Sequence, residues 1–428
     1  MKILLERYAL PRSVFALMTV CLLLQAAVAD DWPHWRGPNW NDRSRETGLL
    51  TEWPKDGPEQ LWVNSASGLG YAGFAVVGEQ LFTMGLEDNA EFALCLNATT
   101  GTEIWRQPVG TKFENNWGDG PRSTPSVDGD YVYLMTAAGT LACLKKNDGQ
   151  EVWKVQMQDF GGQVPDWGYS ESPLVDEDRV VCTPGGPTGT MLALDKLTGE
   201  KIWQSPAFSK AKDGAPGEPA KAHYSSMIPI QWNDQRQYVQ LTVLAAIGVS
   251  PEDGHELWRS DWAGRTAVIP SPIFDDGQIY VTSGYNIGSK LIQLADDNSA
   301  SEKWFSMAMQ NQHGGVILVD KFFYGSSEKA FVCQDRETGK MVWAERKIGK
   351  GATSYADGMF YHVQESDGKV MLFSADKKSA NIKGSFILAP QTERRAKAGR
   401  IWVHPVIANG KLYLRDQEMV YCYEIKAR

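Results

Sequence analysis

Arg122, Glu171, Lys350, His313 and His404 share a place in the sequence: each falls in or near the few residues before a short apolar run that opens a recurring unit. The same stretches supply Tyr71, Trp117, Trp167, Tyr169, Tyr224 and Trp402. Brought together, such rings can stack on the apolar face of a small polar ligand, a sugar or polyol, while the charges fix its hydroxyls. A second reading pairs Arg122 with Glu171 in a salt bridge and packs the aromatics beneath their loops. The sequence leaves both open. Acid–base hydrolysis needs two carboxyl groups facing each other across a bond, and no second acid can be set opposite Glu171.

Other chemistry finds little support. The six histidines contain no H-E-x-x-H pair, and the cysteines after Cys21, at 95, 143, 182, 333 and 422, contain no C-x-x-C and no adjacent pair. Neither a zinc site nor a disulfide framework follows. Gly68-Leu69-Gly70-Tyr71-Ala72-Gly73 spells G-x-G-x-x-G, but it lies between two strand patterns with no helix to cap a pyrophosphate. The net charge of −9, without a lysine or arginine block, gives no footprint for nucleic acid or an anionic membrane surface.

The elements that must position these residues come from a repeat. Ala193-Leu194-Asp195-Lys196-Leu197-Thr198-Gly199-Glu200-Lys201-Ile202-Trp203 is its clearest copy, and others end at Trp105, Trp153, Trp258 and Trp343, with weaker ones at Trp62 and Trp304. A copy near Asn381 has lost its tryptophan. These tryptophans recur at intervals of roughly 40–55 residues, and each unit carries alternating apolar runs joined by Asp-Gly or Asn-Gly turns. Four short antiparallel strands per unit and eight units predict an all-β, eight-bladed β-propeller. Each tryptophan is expected to dock between neighbouring blades, and Cys95, Cys143 and Cys333 to serve as small packing residues in the position of Ala193. The last unit lacks its outer strand, which residues 58–63 can supply from the other end of the chain. The first strand of each blade lines the central channel, so the aromatic and charged loops before it should converge on one mouth.

Residues 1–29 read as a signal peptide: Lys2, Arg7 and Arg12, an apolar run from Val14 to Leu24, then Ala27-Val28-Ala29. A lead segment, 30–57, and a propeller, 58–428, are expected to follow, in a periplasmic or secreted protein with no membrane-spanning segment after cleavage.

The element Ala193-x-Asp195-x-x-Thr198-Gly199-x-x-x-Trp203 resembles the tryptophan-docking repeat of PQQ-type, quinoprotein-like eight-bladed propellers. Trp32 to Pro38, reading Trp-Pro-His-Trp-Arg-Gly-Pro, is similar to the opening of secreted bacterial PQQ-repeat proteins. The resemblance implies one of two branches. Quinoprotein dehydrogenases would bring PQQ with calcium, an adjacent Cys-Cys pair against the cofactor and a Glu/Asn/Asp calcium site, none of which can be placed here. Non-catalytic BamB-type scaffolds would need no cofactor; they carry a lipobox, which Thr19-Val20-Cys21 does not provide. The expectation is a non-catalytic binding or scaffold protein with no cofactor and no metal site, acting on an unknown protein partner or a small polar ligand. A PQQ-dependent alcohol or sugar oxidoreductase is the alternative.

Overall fold

A computed structural model describes residues 31–209 and 220–427; residues 1–29, expected from the sequence to be a signal peptide, lie outside these. The described chain forms eight four-stranded antiparallel sheets, the blades of a propeller. Blade 1 spans residues 75–111, blade 2 126–156, blade 3 174–204, blade 4 228–261, blade 5 273–306, blade 6 316–345 and blade 7 351–387. Blade 8 joins Val406–Ala408, Lys411–Asp416 and Met419–Glu424 to Glu59–Asn64, which pairs with Met419–Glu424 and closes the ring. The one helical turn among the described residues is a 3-10 turn at Met157–Phe160.

Burial explains the strand sequences. The middle strands are apolar on both faces because a blade lies against each, as in Tyr131–Met135 and Thr140–Lys145. Outer strands face solvent on one side, so in Glu151–Gln156 only Trp153 is buried. Asp276-Gly277, Asp357-Gly358 and Asn409-Gly410 each put two successive residues at positive φ, the backbone that a two-residue hairpin turn needs.

The tryptophan repeat builds the seams between blades. Trp105, Trp153 and Trp343 pair across their own sheets with Cys95, Cys143 and Cys333, and Trp203 with Ala193. A bulge follows each pair and turns the indole toward the next blade. There its N–H donates to a turn carbonyl, Trp105 to Lys146 (2.9 Å), Trp153 to Lys196 (2.9 Å) and Trp203 to Pro251 (2.7 Å). Its ring lies on the turn glycine: a Cβ on Gly149, Gly199 or Gly254 would stand 2.6–2.7 Å from the indole. The five cysteines among the described residues are buried and free.

Trp258 departs from the expected pattern. Its cross-strand partner is Gly248, and without a Cβ there the indole folds back over its own blade and donates to Gln237 Oε1 (2.8 Å). Trp232, from the innermost hairpin, takes over the seam and donates to the Ala295 carbonyl (3.1 Å). The tryptophan missing from blade 7 is also replaced. Gly384 holds its place opposite Leu372, and Trp53 of the lead segment packs on that glycine and against Phe386 and Tyr361.

The lead segment also fills the channel. Trp32 pairs with Val76 of blade 1 and is buried. Gly37, at φ 75°, brings the chain so close to the Trp32 ring that a Cβ would sit 3.0 Å from it. Arg36, fully buried, bonds Asp42 (2.6 Å) and the carbonyls of Ser271 (3.4 Å) and Val316 (2.6 Å). The Trp-Arg-Gly core of the opening motif is thus a plug tied to blades 5 and 6 as well as blade 1.

Candidate functional site

The plug makes one end of the channel a closed cup. Trp35 lies at its floor, its indole donating to Ser271 Oγ (3.1 Å) and its ring 4.5 Å from that of His404. Above it opens a cavity of about 460 Å³, within the range of small-molecule sites. Nine of the sequence-predicted residues line it: Tyr71, Trp117, Arg122, Trp167, Tyr224, His313, Lys350, Trp402 and His404. They come from loops that precede the first strands of blades 1, 2, 3, 4, 6, 7 and 8.

Tyr169 and Glu171 do not reach it. Tyr169 is buried beneath its loop and donates to the Pro184 carbonyl (3.0 Å). Glu171 points between blades 3 and 4, accepting from the Thr183 amide (2.7 Å), Thr183 Oγ1 (3.0 Å) and Gln240 Nε2 (2.9 Å), and burial pushes its carboxyl up to about 8. The alternative Arg122–Glu171 salt bridge is also not formed. Arg122 instead donates to the carbonyls of Gly118 (2.6 Å) and Gly120 and lies over the rings of Phe113 and Tyr71.

Several lining residues escaped the sequence reading: Trp35, Tyr285, Glu365 and Arg400 among them. Glu365 and Tyr285 come from the hairpins joining second and third strands of blades 7 and 5. The chain runs down the channel in the first strand and back up in the second, so these hairpins return to the same mouth. That up-and-down path was the signal available.

Glu365 is the cavity's fixed acceptor. The Nε2–H of His313 (2.5 Å) and the indole N–H of Trp402 (3.0 Å) donate to its Oε2, and Lys350 Nζ stands 3.4 Å from Oε1. Burial alone would raise its pKa, but the His313 bond and charge, Lys350 and the Trp402 N–H outweigh this and hold it down to about 2. Burial lowers the pKa of His313 against the opposing pull of Glu365. Lys350 also donates to Gln312. Below, His404 reaches Asp42 (3.3 Å) and the His313 carbonyl (2.7 Å), linking the mouth to the plug. Around this polar centre Trp402 stands 5.0 Å from Tyr71 and 6.2 Å from Trp117, at 45° and 40°, while Trp167 meets Tyr224 edge-on at 5.6 Å. The rings form a curved wall.

A family profile described as outer membrane protein assembly factor BamB matches residues 89–345, more than half the chain. The chain belongs to this BamB family of PQQ-type propellers. Its fold is similar to that of BamB from Moraxella catarrhalis, at 14% identity and a TM-score of 0.60, covering 86% of this chain and 98% of that one. It is equally similar in fold to the quinohemoprotein alcohol dehydrogenase of Comamonas testosteroni, at 12% identity and a TM-score of 0.62, covering 93% and 80%. By sequence, the quinoprotein ethanol dehydrogenase of Pseudomonas aeruginosa is 26% identical over 280 residues; the match spans 57% of this BamB-family chain but only 39% of that protein.

The residues of the cup do not fit a calcium-bound quinone. Glu365 is the one carboxylate lining the cavity, and His313, Trp402 and Lys350 already engage it. Among the described residues no three His, Cys, Asp or Glu side chains are grouped to hold a metal, and the cysteines stay inside the blades.

Proposed function

We propose that this BamB-family propeller is a non-catalytic binding protein of the periplasm or extracellular space, whose plugged mouth holds a small, polar, ring-bearing ligand. The environment of Glu365 carries this reading. A carboxylate held ionised by three donors is a poor proton donor, and with His313 and Trp402 occupied in holding it, it serves instead to orient hydroxyl groups. The rings around it supply stacking surface, and no spanning helix occurs among the described residues. The test is a thermal-shift screen of neutral and acidic sugars and polyols. A hit should be lost in Trp167→Ala and Trp402→Ala while their own unfolding midpoints stay within a few degrees of the parent. Unfolding of both variants would make the rings structural and remove the site.

The partial match to a quinoprotein ethanol dehydrogenase supports a second reading, a PQQ-dependent oxidoreductase. Addition of PQQ and calcium to the purified protein, followed by quinone absorbance and dye reduction with alcohols, separates the two. Stoichiometric uptake with turnover would replace the binding reading.

A further inference from the structure

Lys350 and Glu365 neutralise one another, but Arg122 and Arg400 also line the cavity, and neither stands within ion-pairing distance of a carboxylate among the described residues. Arg122 gives N–H groups to the carbonyls of Gly118 and Gly120, and Arg400 to those of Ala398 and Gly399. Each guanidinium has five donors, so both keep N–H groups free. Acids act on Arg122 only from a distance: Glu91 is buried against the Ala137 amide (3.0 Å), and Asp119 shares Lys112 (3.3 Å) with Glu114 (2.8 Å). An acidic protein thus keeps two guanidinium groups with no carboxylate bonded to them at one concave, aromatic mouth, where low-dielectric walls strengthen their field.

Resting on the ligand-site reading above, we infer that the ligand is an anion, an acidic sugar whose carboxylate or sulfate meets Arg122 and Arg400 while its ring lies on the curved aromatic wall. Rings at 40–45° to one another make a concave wall against which a puckered sugar ring can lay its C–H face. Glu365, fixed as an acceptor, then receives a ring hydroxyl, so charge and hydroxyls together set one orientation.

Calorimetry on the purified full chain tests this with four probes: galacturonate, galactose 6-sulfate, galactose, and PQQ without added calcium. The expected result is that at least one acidic sugar binds about tenfold or more tighter than galactose, with affinity falling as salt is added. Carboxylate against sulfate distinguishes the two sources of charge. Arg400→Gln, at an exposed position, should abolish the preference without moving the unfolding midpoint; Arg122→Gln should do the same if it folds. Galactose binding as tightly as the acids, or a preference unchanged in Arg400→Gln and in a folded Arg122→Gln, would overturn the anion inference and leave the mouth a ligand site. Binding of PQQ alone, or of no probe, would overturn the ligand reading as well.

Discussion

His362 is buried and His34 and His223 are half-buried, and loss of solvent lowers His34 to about 4, His223 to about 4 and His362 to about 3. Glu91 and Glu171 move the other way, pushed by burial up to about 7 and about 8. For the histidines, the folded pKa lies below the ordinary 6.5, so their contribution to stability is present above 6.5 and is lost as pH falls toward 3–4. For the two acids, the folded pKa lies above the ordinary 4.5, so their contribution is complete below 4.5 and is lost as pH rises through 7–8. The unfolding midpoint should therefore peak near pH ~6.5 and fall on both sides. Thermal melts across pH 4–9 check this, and Glu91→Gln should make the alkaline fall shallower. Little of it could be read from sequence. Glu171 stands in the right loop, yet successive side chains of extended chain face opposite ways; its neighbours Ser170 and Ser172 take the cavity side, and only the bonds to Thr183 and Gln240 show that Glu171 points between blades. Glu365 was invisible for the opposite reason: it lies in a hairpin whose sequence, Gln364-Glu365-Ser366-Asp367-Gly368, reads as an ordinary solvated turn.

Between blades, the seam is a tryptophan on a glycine, and both halves can be tested. Trp105→Ala and Trp203→Ala should each cost at least ~3 kcal/mol in denaturant unfolding, because each empties a buried seam; a loss below ~1 kcal/mol would mean the indoles do not hold blades together. Gly199→Ala should be destabilising too, since it sets a Cβ 2.7 Å from Trp153 on a backbone at φ 73°. The seams were the most legible part of the chain. A period near fifty residues, a turn glycine and a tryptophan four positions later state a local geometry that repeats regardless of the rest of the fold. Where the seam is made by non-local residues, the pattern fails: Trp53 and Trp232 stand outside the motif spacing, and only Gly248, a missing Cβ opposite Trp258, marks the exchange in blade 4.

At the scale of the whole molecule, Arg415 holds the closure. It is buried and donates to the carbonyls of Gly68 (3.0 Å), Ala72 (3.0 Å), Met84 (2.8 Å) and Gln417 (2.7 Å) and to Thr83 Oγ1 (2.7 Å), joining blade 8 to blade 1. Arg415→Met would leave these acceptors without a donor. It should lower the unfolding midpoint more than removal of a surface arginine such as Arg394→Ala, and removal of residues 30–64 should destabilise all eight blades; an unchanged midpoint in either case would refute the closure. The unfinished last unit announced this strand exchange in the sequence, whereas the plug did not announce itself, because Trp32–Pro38 has no periodicity to say where it goes. The pairing of Glu59–Asn64 with Met419–Glu424 also sets an order in time. The earliest strand must wait for the latest, and the plug has no channel to enter until the blades that bind Arg36 exist. Sealing is thus a late step of folding, slowed by contacts of very long sequence separation, and until it happens blade 8 exposes the open edge of Met419–Glu424 to any neighbouring chain.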